Sequence, residues 1–149
     1  MALKEKLQSD LTDAIRAQDG VVSGTIRMLL AAITNEEVAG KAARVLNDSE
    51  IISVLSRENK KRLEAAESYI QAKREDLAIR EKAEAAVITK YMPEQISEAE
   101  IKKLIQAAIT ATGAAGPSGM GLVMRQLQPM IAGKADGGLV SELVKAALA

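Results

Sequence analysis

Apolar residues along this chain fall three and four positions apart, the spacing of one face of an α-helix. Leu3, Leu7, Leu11, Ala14 and Ile15 predict a first helix that fades at Gln18-Asp19-Gly20, with the glycine as its C-terminal stop. Val22, Ile26, Leu29, Leu30 and Ile33 predict a second helix from about Val21, with Gly24 costing it about 1 kcal/mol relative to alanine. Residues 39–45, which include Gly40, read as a loop or as frayed helix. Asn47 then caps a long third helix, Asp48 to Lys73, with Glu50 closing a capping box. Its expected inward stripe is Ile52, Leu55, Asn59, Leu63, Ala66 and Ile70. Asn59 reads there as a half-buried amide bonded to a neighbour, with a polar group held for a ligand as the alternative. A fourth helix, Glu75 to Tyr91, faces inward through Leu77, Ala83, Ala86, Val87 and Tyr91. A tight turn near Lys73-Arg74 is expected before it, because one rod from Asp48 to Met92 would need a partner along its whole length.

Pro93 forces a break after Tyr91. Ser97 caps the next helix, with Glu100 placed to complete a capping box. Ile101, Leu104, Ile105, Ala108 and Ile109 form its apolar face. A loop rich in helix breakers, residues 113–119, leads to a helix with Met120, Val123, Met124, Leu127 and Ile131 inward, where Pro129 predicts a kink or an early end. The turn Gly133 to Gly138 precedes a last helix bearing Leu139, Val140, Leu143, Val144 and Ala147, with Asp136 as its N-cap. All three prolines and seven of the ten glycines lie in the last 57 residues, which places a domain boundary at Met92–Pro93. The expectation is an all-α chain: an N-terminal bundle of about four helices over residues 1–92, then a small three-helix domain over 93–149.

Composition narrows the chemistry. There is no Phe or Trp, so the core is aliphatic. With no Cys and no His, there is no disulfide framework, no Cys metal site and no imidazole base. No metal or other cofactor is expected. None of the serines stands in a strained elbow, and Gly116-Pro117-Ser118-Gly119 lacks the preceding strand such an elbow needs, so no catalytic residue is assigned. Charged residues precede any apolar run at the start, and the longest such run is far short of the ~20 residues that span a bilayer. These features predict a cytoplasmic protein with no membrane partner.

Net charge is zero, and each side of Met92 is balanced. From Ile101 onward, however, Lys102, Lys103, Arg125, Lys134 and Lys145 face only Asp136 and Glu142, which raises the prospect of a local basic face. The Gly133–Gly138 corner reads either as a capped turn or as a phosphate contact through Lys134 and the turn backbone, with Gly133 and Gly137 among the candidate contacts. Arg57, Lys60, Lys61 and Arg62 are the densest basic group; a solvated face, with Glu58 paired to Arg62, is the plain reading and an RNA contact the alternative. Glu36-Glu37 and Glu75-Asp76 read as solvated surface. With only Tyr69 and Tyr91 as aromatics, base stacking is excluded as the main mode, and any RNA contact goes to phosphate and shape.

The segments Lys90-Tyr91-Met92-Pro93-Glu94-Gln95-Ile96-Ser97, Met120-Gly121-Leu122-Val123-Met124 and Gly133-Lys134-Ala135-Asp136-Gly137-Gly138-Leu139-Val140 resemble the YqeY-like family. Ile26-Arg27-Met28 with Asn35-Glu36, and Arg74-Glu75-Asp76-Leu77, are similar to that family's signatures. One departure is Ala72-Lys73 before Arg74, where relatives often place a glycine. Residues Gly121 to Leu143 also resemble the C-terminal tail of the B subunit of the tRNA-dependent amidotransferase. The resemblance implies the helical two-part fold (a GatB/YqeY-like C-terminal domain) and a link by shared domain to amidation of misacylated tRNA. In that enzyme the tail is an RNA-contacting appendage and the chemistry sits elsewhere. The expected function is therefore a non-catalytic accessory module, with tRNA and amidotransferase or tRNA synthetase components as partners and DNA not among them. A helical protein–protein adaptor is the alternative. Lys102, Lys103, Arg125 and Lys134 would meet phosphates, with Arg57, Lys60 and Lys61 as a secondary patch.

Overall fold

A computed structural model describes residues 2–149. Seven α-helices account for nearly all of the regular structure: α1 (Leu3–Arg16), α2 (Gly20–Val38), α3 (Asp48–Gln71), α4 (Glu75–Thr89), α5 (Glu98–Thr112), α6 (Met120–Ile131) and α7 (Gly137–Leu148). A single 3-10 turn, Pro117–Gly119, precedes α6, and no strand occurs among the described residues. The chain divides into two compact units, Met1–Met92 and Pro93–Ala149.

In the first unit, α1 to α4 enclose an aliphatic core that includes Leu7, Ile26, Leu29, Ile33, Leu55 and Ile88. The α1–α2 corner differs from expectation. The left-handed residue is Gln18 (φ 56°), and Gly20 is already the first residue of α2, capped by Asp19, whose carboxylate accepts the Val22 amide at 3.0 Å. The Gln18 amide bonds back to the Ile15 carbonyl and the Asp19 amide to that of Ala14, the paired bonds of a Schellman motif. The α3–α4 turn repeats the device. Lys73 (φ 59°) takes the left-handed position, with Lys73 bonded to Ile70 and Arg74 to Tyr69. A lysine thus stands where glycine is favoured, and the two helices are separate.

The buried face of α3 is turned from the expected one. Ile51, Val54, Leu55, Arg62 and Ala66 are buried, whereas Leu63 is 49% and Ile70 41% exposed. The reason lies in α2 and α4, which both pack on α3 and select a face that includes a charged residue. Arg62 is only 4% exposed because Glu58 one turn earlier (2.9 Å) and Glu84 of α4 (3.3 Å) meet its charge. On α4 the buried residues are Ala78, Ala85, Val87 and Ile88, while Ala86 is exposed and the helix stops at Thr89. That helix is apolar on several sides, so spacing by itself does not choose its face. Asn59 is half-buried as expected, but its Oδ1 is buried without a hydrogen-bond partner.

Glu37 is not solvated surface. It is buried, accepts Lys4 Nζ at 2.6 Å and the Leu46 amide at 3.2 Å, and so pins the 39–46 loop to α1 and α2. The Asn47–Glu50 capping box closes in both directions at 2.9 Å.

In the second unit, three helices bury Ile101, Ile105, Val123, Leu127, Val140 and Val144 among others. Ser97 Oγ accepts the Glu100 amide at 3.2 Å, but the reciprocal bond from Ser97 to the Glu100 side chain is not formed, so half of the expected box exists. Gly113 ends α5 in the left-handed region (φ 68°). Pro129 does not end α6, which runs on to Ile131: so close to the C-terminus the proline removes one bond, to the exposed Arg125 carbonyl side of the helix.

Candidate functional site

The turn that joins α6 to α7 is held from outside by the segment leading into α5. The Ile96 amide donates to the Lys134 carbonyl at 3.0 Å, and Gln95 Nε2 donates to the Gly133 carbonyl at 2.8 Å and to that of Pro93 at 2.8 Å. Gly133 takes φ 73°, a conformation that suits glycine, which turns the chain out of α6 and leaves the Lys134 side chain exposed. Asp136 caps α7 by accepting the Leu139 amide at 3.3 Å. Its carboxylate therefore occupies the amide end that a phosphate would use, and Gly137, the first residue of α7, has open space before it.

The other expected contacts lie on the helices of the same unit. Lys102 pairs with Glu98 at 3.4 Å along α5 and borders a shallow apolar groove lined by Ile105, Gln106, Leu143, Ala146 and Ala147. Lys103 and Arg125 are exposed and lie opposite the buried positions of α5 and α6, so they leave the unit by two different helix faces. Lys103, Arg125, Lys134 and Lys145 have no carboxylate partner among the described residues.

The secondary basic group is placed differently. Arg57 pairs with Glu36 of α2 at 3.1 Å, Lys61 with Glu58 at 3.1 Å, and Arg62 is buried. Lys60 is exposed on α3 and is also engaged in an interaction. Burial works to raise the pKa of Glu58, but hydrogen bonds from Arg62 and Lys61 outweigh it and hold the carboxyl below its usual value. That part of α3 is a neutralised ion network, with the cations facing carboxylates of the same fold.

A family model described as Yqey-like protein matches residues 4–148. The chain belongs to the YqeY-like family. Its curated relatives include a fungal protein from Pyrenophora tritici-repentis (strain Pt-1C-BFP), named Altered inheritance of mitochondria protein 41, mitochondrial. The two are 32% identical over 94% of this chain and 77% of the relative. Proteins of the same name from Clavispora lusitaniae (strain ATCC 42720) and Saccharomyces cerevisiae (strain YJM789) are 36% and 31% identical over 68% and 72% of this chain. The YqeY-like chain spans 59% and 60% of the length of those two relatives.

The names correct one expectation. All three relatives are described as mitochondrial, so the reading of a cytoplasmic protein does not stand. Its physical basis was too general: an aliphatic core, a balanced charge and no cysteine suit any aqueous compartment. Among the described residues no helix is long and apolar enough to cross a membrane.

Proposed function

We propose that this YqeY-like chain is a non-catalytic accessory module that binds tRNA through the phosphate backbone, using Lys103, Arg125 and Lys134 of the Pro93–Ala149 unit. The observation that carries this reading is electrostatic. In that unit Lys103, Arg125, Lys134 and Lys145 lack a carboxylate partner among the described residues, whereas in the densest basic group of the chain Arg57, Lys61 and Arg62 are each paired. A cation without an internal partner gives up no ion pair when it meets a phosphate. The pinned Gly133–Lys134 turn holds one of these cations on a fixed backbone. The resemblance of Gly121 to Leu143 to the amidotransferase tail supports tRNA over other RNA, and an amidotransferase or synthetase component as the protein that shares the substrate.

Filter-binding titration against unfractionated tRNA tests the proposal. Three phosphate contacts predict that affinity falls about 40-fold between about 50 and 200 mM salt. Lys134→Ala with Arg125→Ala should flatten that slope by nearly two contacts. Arg57→Ala should leave it unchanged, because Arg57 is engaged by Glu36. Salt-independent binding, or a double variant that binds as the parent does, would remove the basis of the reading.

A further inference from the structure

The stripe that spacing assigns to the inner face of α3 stays partly outside, and it has a second regularity. Ile52, Ser56, Asn59, Leu63, Ala66 and Ile70 follow one another at alternating intervals of four and three residues, the seam spacing of a coiled coil. Ala66 is buried, while Ile52, Ser56 and Asn59 are half-buried. Leu63 and Ile70 are 49% and 41% exposed. In the middle stands an amide, and Asn59 Oδ1 accepts no hydrogen bond within the unit. A lone asparagine in such a seam fixes register by meeting its own counterpart on a second helix.

The rest of the bundle lies on the other side. Arg57 points away from the stripe and reaches Glu36 of α2. On α4, Arg80 and Glu84 border the groove shared with α2, and Lys82, two residues from each, points the opposite way. The face opposite α2 therefore combines the stripe of α3 with Lys82 of α4. Its far rim carries Glu67, on the side of the stripe away from α4. Lys82 and Glu67 are both exposed, and neither is in an ion pair among the described residues. One rim is thus acidic and the other basic.

We infer that this face pairs two copies of the chain, α3 against α3 in parallel, about a two-fold axis that runs along the seam. That axis sets Asn59, Leu63 and Ile70 each against its own counterpart. It also brings the acidic rim of each copy to the basic rim of the other, so Glu67 meets Lys82 of the second copy twice. The antiparallel pairing is disfavoured. Arg62 meets Glu84 across the α3–α4 pair, so Lys82 lies level with the Leu63 turn. An antiparallel pair centred on Leu63 would set Lys82 against its own copy.

Sedimentation equilibrium of the full chain at low salt, without RNA, tests the inference. The parent should pass from monomer to dimer as concentration rises. Leu63→Glu should weaken that association at least about tenfold, because it puts two carboxylates in the middle of the seam. Glu67→Lys and Lys82→Glu should each weaken it about fivefold or more, since each replaces two attractions by two repulsions. Mixed together, these two variants should recover association, because Lys at 67 then faces Glu at 82 at both contacts. Should Leu63→Glu fold poorly, the mixing experiment carries the test, both rim positions being exposed. A chain that stays monomeric at every concentration would overturn the inference and leave the face to a different protein. So would a Leu63→Glu variant that associates as the parent does, or a mixture no tighter than its separate components. The tRNA titration reads cations of the other unit, so either proposal can fail without the other.

Discussion

The Tyr91 hydroxyl donates a 2.6 Å hydrogen bond to Asp10, tying the end of the first unit to the middle of α1 across 81 positions of sequence. Lys6 completes the group, 3.1 Å from the same Asp10 oxygen and 5.5 Å over the Tyr91 ring. The phenol's bond, and secondarily Lys6, hold the Asp10 carboxyl below its usual value against the opposing effect of burial. Burial first, and then Asp10, push the Tyr91 hydroxyl well above its own. The two shifts act at opposite ends of the pH scale. The stability contributed by Asp10 is present above the ordinary carboxylate range of about 4 and is lost as pH falls through its lowered value. That from Tyr91 is complete below about pH 10 and is lost as pH rises toward its raised value. Tyr91→Phe should cost about 1 kcal/mol near neutrality and weaken the alkaline fall in melting temperature.

Arg62 is the residue on which the α3–α4 packing is most exposed to damage. Arg62→Ala should cost about 3 kcal/mol in urea unfolding, because Glu58 and Glu84 would lose their shared buried counter-charge and keep only the exposed Lys61 and Arg80. Arg62→Met combined with Glu58→Gln and Glu84→Gln should recover more than half of that loss. If the triple variant is no more stable than Arg62→Ala, the guanidinium matters through its packing and its contact with Met28 Sδ at 3.5 Å, not through charge.

Gln18 and Lys73 each hold a left-handed conformation at a Schellman turn, one that costs an ordinary residue about 1 kcal/mol. Gln18→Gly and Lys73→Gly should each raise stability by about 0.5 kcal/mol or more, after allowance for the greater freedom of glycine in the unfolded chain. Being in separate turns, they should add, and thermal melts of the two singles and the double would show it.

The loop between α2 and α3 depends on Glu37. Hydrogen bonds from Lys4 first, and then from the Leu46 amide, hold its carboxyl below the ordinary value. The contribution is present above the usual glutamate range and is lost as pH falls through the lowered value. Glu37→Gln should therefore open residues 39–46 to limited proteolysis at neutral pH, at a rate the parent reaches only in acid. Equal cleavage of both chains at pH 7 would mean that the Arg44 amide bond to the Glu37 carbonyl is sufficient to hold the loop.

Local chemistry was enough to read the helices and most of their starts, the exception being α2, which begins at Gly20 behind an Asp19 cap. Asn47 with Glu50, Ser97 and Asp136 all cap where their side chains and the following amides predict, because a cap is a contact within four residues. The apolar faces of α5 and α6 were legible for a similar reason: in a three-helix unit each helix has one core to face. The all-helical class follows from the same short-range rules.

The tertiary structure decided what those rules do not reach. Which side of α3 is inward depends on α2 and α4 together, and a buried arginine becomes tolerable only when Glu84 arrives from another helix. Leu63 and Ile70 lie outside because no helix covers them, and Glu37 lies inside because Lys4 and Leu46 come to it. Among the cations, sequence could count charges, whereas only the fold showed which had met a carboxylate. Short-range hydrogen bonding and helix periodicity are properties of the chain itself; burial and charge pairing are properties of neighbours that sequence separation hides.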